Sequence, residues 1–240
     1  MQVLNIFSTF EIMKHIIFVS FFLLVQITFS QKSGTFIDSR DKKVYKTVDI
    51  GTQTWIVENL NASTFRNGDP IYQAKSEVEW ENAGKNKQPA WCYIDFDESY
   101  EDEGKLYNWY ALDDTRGLAP LEWHIPSEKE WLILVDFLDG PNTAGKYMKS
   151  KNSWSTNIIT DEDENGTNES GFDAKASGYC RVDGTFHFYG TQGSWWCNTK
   201  NGDLETTRIL EIMYKVGIVD SLDFGGPKKE CGYFIRCLKN

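Results

Sequence analysis

The acidic run from Asp161 to Gly166 has residue types and spacing that could bind a metal ion. Its sequence, DEDENG, places oxygen ligands at alternate positions and ends in a glycine that permits a turn, as in the first half of a calcium-binding loop. The twelfth position is Phe172 instead of a bidentate Glu, so an EF-hand is excluded. The candidate ligands of a looser calcium site are Asp161, Asp163, Asn165 and Glu169. The alternative is a solvated acidic loop.

Aromatic side chains could bind a glycan, since the flat apolar faces of sugars stack on rings while hydroxyl groups hydrogen-bond beside them. The candidate residues are Tyr179, Tyr189, Trp195, Trp196 and Tyr214. Trp195 and Trp196 are neighbours in a predicted strand and therefore point to opposite faces of it. One of them is expected to lie in the core, and only the other is available as a platform. The alternative is that all these rings belong to the core.

Catalytic constellations are not evident. Acidic pairs such as Asp95 with Asp97, or Asp113 with Asp114, could serve a glycosidase, but the distance between their carboxyl groups does not follow from sequence. Such pairs are also common in loops. His124 is interpreted as a hydrogen-bonded structural residue, and no Ser-His-Asp arrangement can be identified. We therefore predict that the protein is not an enzyme.

The elements that must position these residues are organised around an aromatic stretch at 104–131. A short helix is predicted from Lys105 to Leu112. A second is predicted from Ser127 to about Leu138, because Ser127 and Glu130 form a capping-box pattern and Asp139-Gly140 supplies a stop. Its apolar face comprises Trp131, Leu132, Leu134, Val135 and Leu138.

Segments on either side of these helices favour strands. Lys43 to Leu60 alternates around a turn at 50–53, which predicts a β-hairpin with Trp55 and Leu60 inward. Residues 77–88 are interpreted as a polar loop, 90–94 as a strand and 146–155 as a loop. Six further strands are predicted at 178–181, 185–189, 194–199, 207–214, 215–219 and 232–238. An antiparallel sheet packed on two helices is an α+β fold.

Composition limits the function further. The chain has 240 residues, 40% of them hydrophobic and 15% aromatic, which suffices for one domain with a sizeable core. Its net charge of −10 argues against a nucleic-acid partner, which requires a basic surface. The five cysteines form no CxxC pair, and two disulfides among them can be drawn in 15 ways.

The first 30 residues resemble a secretory signal peptide with a short upstream segment. Translation is expected to start at Met13, the apolar run covers Ile16 to Phe29, and cleavage is expected after Ser30. The run is shorter than the roughly 20 residues of a membrane span, and no cysteine follows it to accept a lipid. The predicted product is a secreted single domain, 31–240, without a membrane span.

An ordered series of motifs resembles the Fibrobacter succinogenes major paralogous domain, a secreted bacterial family. The motifs are VYKTVDIGTQTWIVENLN, FRNGDPI, AWCYIDFDES, GKLYNWYAL, GLAPLEWHIPSEKEW, NESGF, WWCNT and CGYFIRCLKN, and they cover about residues 36 to 240. The family is similar to formylglycine-generating enzymes and C-type lectin-like domains. The resemblance implies an irregular, loop-rich α+β fold in which two central helices pack on antiparallel sheet.

The resemblance also bears on the cysteines and on function. Cys92 and Cys237 match the family's cysteine positions, which implies a Cys92–Cys237 disulfide first and Cys197–Cys231 second, with Cys180 left over. The expected function is a secreted, non-enzymatic binding module for an extracellular glycan or a cell-surface protein. The alternatives are an oxidase like the formylglycine-generating enzymes and a purely structural surface or matrix protein.

Overall fold

The computed structural model describes residues 32–155, 163–199, 207–213, 216–220 and 227–240. In chain order the strands are β1 (Ser33–Ile37), β2 (Val44–Ile50), β3 (Gln53–Ile56), β4 (Tyr72–Gln73), β5 (Ala90–Cys92), β6 (Leu106–Tyr107), β7 (Trp123–His124), β8 (Ser177–Cys180), β9 (Phe186–Tyr189), β10 (Gly193–Cys197), β11 (Arg208–Ile212), β12 (Val216–Asp220) and β13 (Leu238–Lys239). The α-helices are α1 (Glu77–Lys85), α2 (Trp109–Leu112), α3 (Glu128–Phe137) and α4 (Ala144–Met148). Two 3-10 helices lie at Ile94–Phe96 and Glu98–Glu103. The chain is therefore α+β, as predicted.

The first sheet joins the two ends of the described chain, in the order β1-β2-β3-β13-β7. The predicted hairpin is confirmed: β2 and β3 are antiparallel, and the turn between them uses Gly51 at φ 61°, a left-handed conformation that glycine adopts without strain. Strand β13 then pairs with both β3 and β7. Trp55 and Leu60 are buried, as expected from the alternation.

The second sheet has the order β12-β11-β10-β8-β9, and a third, smaller sheet has the order β4-β5-β6. Strands β10, β11 and β12 form the predicted antiparallel run, but β8 is parallel to β10. Strand β10 is therefore a central strand and β9 an edge strand. This arrangement decides which of the predicted aromatic ligands can reach solvent.

Helix α3 matches its sequence signals closely. The Ser127 hydroxyl accepts from the Glu130 amide, and the Glu130 carboxylate accepts from the Ser127 amide at 2.7 Å, so the capping box is formed. Trp131, Leu134 and Val135 are buried. The assignment of Leu132 to the buried apolar face is wrong, because its side chain is 42% exposed.

Three sequence predictions around the other helices need correction. Residues 77–88 contain α1, begun by Ser76, whose side chain accepts from the Glu79 amide. Helix α2 begins only at Trp109, because Asn108 caps it and Leu106–Tyr107 pairs with β5 as a strand. The predicted loop at 146–155 includes most of α4.

The core is built from aromatic side chains contributed by all three sheets. The largest side chains with less than 2% of their surface exposed are Trp55, Trp80, Trp131, Trp195, Trp196, Arg236, Tyr45, Tyr107, Phe65, Phe172, Phe234 and Ile56. Arg236 is the one ionisable side chain among them other than tyrosine. In the part of the chain that the structure describes, no helix is long and apolar enough to cross a membrane.

Candidate functional site

Exposed aromatic side chains concentrate at the edge strand β9. Phe188 is 49% exposed and Tyr189 is 56% exposed, and they are consecutive in sequence. Phe186 and His187 are half-buried beside them. Because β9 lies at the edge of its sheet, its backbone is paired on one side only. Among the residues that the structure describes, this is the one place where two exposed aromatic side chains adjoin in sequence.

Rings from two neighbouring segments support those of β9. Phe96, at the end of the first 3-10 helix, meets Phe186 edge-on at 5.2 Å between ring centroids. Tyr100, in the second 3-10 helix, meets Tyr189 edge-on at 5.9 Å. Tyr179 on β8 stacks against both His187 and Phe188, at 6.2 and 6.0 Å. We call this set the aromatic ridge: Phe96, Tyr100, Tyr179, Phe186, His187, Phe188 and Tyr189.

Backbone strain coincides with the aromatic ridge. Asp95, Phe96 and Phe188 have φ of 50°, 56° and 62°, in the left-handed region that side chains with a Cβ rarely adopt. Each such residue costs on the order of 1–3 kcal/mol and persists only where its surroundings hold it. The Phe188 carbonyl accepts from the amides of Thr191 and Gln192, each at 3.0 Å, which fixes the chain after the strained residue.

Gly178, opposite Phe188 on β8, is required for this geometry. It has φ 64°, and a Cβ built on it would lie 2.2 Å from the His187 carbonyl oxygen and 2.9 Å from the Tyr189 nitrogen. No other residue type fits so close an approach of two backbones. Glycine at this position therefore permits the close approach of β8 to the strained residue Phe188.

Polar groups border the aromatic ridge on two sides. The Glu103 carboxylate accepts from the Ser177 hydroxyl at 2.7 Å and from the Lys175 ammonium at 3.0 Å. Burial, followed by the charge of Glu103, raises the pKa of Tyr189, so this phenol stays neutral at physiological pH. On the other side the Thr185 hydroxyl donates to Asp183 at 2.7 Å and lies 3.1 Å from His187 Nε2. Rings flanked by carboxylates suit a ligand with both apolar faces and hydroxyl donors.

The predicted platform at Trp195 or Trp196 is corrected by the structure. Both side chains are fully buried, because β10 is a central strand covered on both faces. The Trp195 indole donates to Asn59 at 2.8 Å, and the Trp196 indole donates to the Tyr107 carbonyl at 2.7 Å. Of the other predicted aromatic ligands, Tyr179 and Tyr189 lie at the aromatic ridge, and Tyr214 lies outside the described residues.

The structure describes the predicted calcium loop only from residue 163 onward, so Asp161 lies outside the described residues. Asp163 Oδ1 accepts from both nitrogens of Asn165, and Asn165 Oδ1 accepts from the Trp154 amide at 2.9 Å. Glu169 lies in the turn that follows. Within the described residues no three His, Cys, Asp or Glu side chains are grouped so as to hold a metal ion. Calcium binding at this loop stays a prediction.

The cysteines are free and buried, so neither predicted disulfide, Cys92–Cys237 or Cys197–Cys231, is formed in the structure. The groups that influence Cys197 electrostatically are Glu128 and Arg208, whereas those of Cys231 include Tyr233, Glu230 and Lys228. The thiol of Cys180, the cysteine that the predicted pairing left over, donates to the Arg181 carbonyl at 3.5 Å. The structure therefore gives no support to either predicted pairing.

In the aromatic ridge, the sequence indicated Tyr179 and Tyr189 as candidate ligands but did not indicate the other five residues. The available signal was the run Phe186-His187-Phe188-Tyr189, four rings in one short strand. A strand with large apolar rings on both faces is expected either to be buried between two packed layers or to lie at the edge of its sheet. Only the parallel pairing of β8 with β10 shows that β9 is such an edge.

His124, the histidine singled out in the sequence, has a structural position. Its Nε2 lies 2.9 Å from a Glu130 carboxylate oxygen, and its Nδ1 lies 2.8 Å from Asn240 Oδ1. Both ring nitrogens are therefore engaged between the start of α3 and the end of the chain. This geometry gives His124 no nucleophile to activate.

Comparison with known proteins gives a family and nothing more specific. A family model described as the Fibrobacter succinogenes major domain matches residues 48–239. No curated protein and no solved structure matches the chain.

Proposed function

The chain belongs to the Fibrobacter succinogenes major domain family, and for this member we propose a non-enzymatic function: binding of an extracellular glycan at the aromatic ridge. The observation that supports it best is the pair Phe188 and Tyr189, consecutive exposed residues of a strained edge strand, each backed by a ring from another segment. Exposed apolar rings cost solubility and persist where they serve an interaction.

The chemistry of the aromatic ridge favours a sugar over a peptide. A peptide that added to β9 as a further strand would need a regular backbone edge. Phe188 interrupts the regular backbone edge of β9, because its positive φ departs from the extended β conformation. A pyranose needs only a ring face to stack on and acceptors for its hydroxyl groups. Tyr189 and Phe188 supply the ring faces. Asp95 and Glu98 are exposed and lie within two residues of Phe96, and their carboxylates supply the acceptors.

The proposal includes secretion and a lectin-like architecture. Secretion rests on the N-terminal sequence alone, since residues 1–31 lie outside the described part. The lectin-like or formylglycine-generating-enzyme-like fold is supported by irregular α+β structure, with long connections between short strands. The net charge of −10 supports a partner other than nucleic acid.

A glycan-array screen of the purified protein, with and without calcium, tests the proposal. We expect at least one class of glycan to bind, and we expect Tyr189→Ala to weaken that binding about tenfold, or ~1.4 kcal/mol, by removing one stacking ring. Its melting temperature should stay close to that of the wild type, because the side chain is 56% exposed.

Tyr72→Ala is the matched control, since Tyr72 is also exposed, at 38%, but lies on β4 in a different sheet. It should leave the affinity unchanged. An array with no bound glycan under either condition, or equal losses in the two variants, would contradict the proposed function.

A further inference from the structure

The side of the aromatic ridge formed by the two 3-10 helices carries charge of one sign. Residues 94–103 contain six acidic residues and no basic one. The same segment supplies the rings of Phe96 and Tyr100, which contact Phe186 and Tyr189 on β9. Five of the six acidic side chains are exposed, and we call them the acidic border: Asp95, Asp97, Glu98, Glu101 and Asp102.

Basic side chains do not neutralise the acidic border. None of its five residues belongs to an ion pair with another residue that the structure describes. The sixth acidic residue, Glu103, is paired with Lys175 at 3.0 Å. Arg181 also lies in the hairpin of β8 and β9, but it is bonded to Thr185 near the turn, whereas Tyr189 lies at the opposite end. The rings at that end are therefore bordered by uncompensated negative charge.

Aromatic faces and carboxylates attract ligands of the same charge. A cation is attracted to the face of an aromatic ring within about 6 Å of its centroid. Carboxylates attract it over a range of roughly 8–10 Å at physiological ionic strength. Phe188 and Tyr189 expose ring surface, and Tyr189 contacts Tyr100 of the acidic segment. A cationic ligand would gain from both kinds of group, whereas an anionic ligand would be repelled.

We propose that the aromatic ridge selects cationic glycans, whose sugar rings carry free amino groups, over neutral and anionic ones. This inference rests on the proposed glycan-binding function and adds the charge of the ligand to it. The amino group of a hexosamine lies at the edge of the sugar ring. The face of the sugar is therefore free to stack on Phe188 or Tyr189 while the ammonium group donates to a carboxylate of the acidic border.

Calorimetric titration of the purified protein with two oligosaccharides tests this selection. Chitosan and chitin hexamers have the same linkage and ring shape, but chitosan carries amino groups where chitin carries neutral acetamido groups. We expect the chitosan hexamer to bind at least about fivefold more tightly at roughly pH 6, where carboxylates and sugar amines are both charged. In about 1 M sodium chloride, where the Debye length is ~3 Å, the preference should fall below about twofold.

The outcomes distinguish this proposal from the function on which it rests. Equal binding of the two hexamers, or a preference that survives high salt, would overturn charge selection and leave glycan binding standing. Oligolysine that binds as tightly as the chitosan hexamer would also overturn it, because a charged peptide would then suffice without a sugar. Binding of neither hexamer would overturn it as well, and the glycan array then decides the proposed function separately.

Neutral variants test whether the acidic border causes the preference. Asp95→Asn combined with Glu98→Gln removes two charges at nearly constant shape, and Asn tolerates the left-handed backbone at position 95. We expect the ratio of the two dissociation constants to move about threefold towards one. The control, Glu122→Gln with Asp136→Asn, removes two exposed charges beside β7 and on α3, and should keep the ratio. An unchanged ratio in the first variant, or equal changes in both, would overturn the proposal.

Discussion

Replacing Trp131 with alanine is expected to lower the free energy of unfolding by about 3–5 kcal/mol, the usual cost of removing a buried tryptophan. The Trp131 side chain is fully buried and packs against Trp55 at 4.6 Å and Phe172 at 5.9 Å between ring centroids. These contacts attach α3 to the first sheet, together with a 2.9 Å hydrogen bond from the Gln53 side chain to the Glu130 carbonyl. The measurement is chemical denaturation at equilibrium.

Two variants separate packing from other effects of the Trp131 substitution. Leu132→Ala changes the next residue of the same helix, whose side chain is 42% exposed, and should cost less than about 1 kcal/mol. Trp131→Phe keeps an aromatic ring and should cost less than the alanine variant, because the Trp131 indole nitrogen has no hydrogen-bond partner in the described structure. Equal losses for Trp131→Ala and Leu132→Ala would contradict this position of α3.

Replacing Arg236 with alanine is expected to cost about 3–5 kcal/mol, because the fully buried guanidinium satisfies acceptors in segments distant in sequence and fills space that alanine would leave empty. It donates to Asn59 Oδ1 at 2.8 Å, to the Phe172 carbonyl at 2.7 Å and to the Asp173 carbonyl at 3.2 Å. Removing it leaves the two carbonyl groups without these donors and opens a cavity beside the Phe172 ring, which lies 4.6 Å from the guanidinium carbon. Relief of the buried charge offsets part of the loss. Burial is the main reason that the pKa of Arg236 falls to about 10.

Denaturation of three variants tests the role of Arg236. Arg236→Lys retains a charge but lacks the planar fork of donors. Its free energy of unfolding should therefore lie between those of the wild type and the alanine variant. Arg181→Ala is the control, because Arg181 is exposed, and should change the stability by no more than about 0.5 kcal/mol. A loss below about 1 kcal/mol for Arg236→Ala would show that its hydrogen bonds contribute little net stability.

Local sequence signals predicted the elements that depend on local contacts. The hairpin of β2 and β3 needs only alternation and a turn glycine, and α3 needs only a capping box and an apolar face. Helix α1 was missed because Glu77–Lys85 is mostly polar and Asn82-Ala83-Gly84 resembles a turn. In the structure a single large side chain, the buried Trp80, anchors that helix to the core.

The errors at the site arose from contacts between distant parts of the chain. Whether Trp195 and Trp196 face solvent depends on β8, which lies beside β10 and is paired with it in parallel. Whether Phe188 and Tyr189 face solvent depends on the same pairing, because it leaves β9 at the edge. Arg236 is buried among carbonyl groups of residues 172 and 173, and no periodicity in its own segment indicates this. Strand order, which sequence pattern does not determine, therefore separates core rings from surface rings.

The most direct test of the glycan-binding account is hydroxyl-radical footprinting of the protein with and without a saturating glycan from the array. Mass spectrometry would report the oxidation rate of each exposed aromatic side chain. The account predicts that Phe188 and Tyr189 are oxidised several times more slowly in the complex, while Tyr72 and Phe137, exposed at 38% and 46%, keep their rates. Unchanged rates at Phe188 and Tyr189 in a complex that demonstrably contains glycan would contradict the assignment of the aromatic ridge as the binding site.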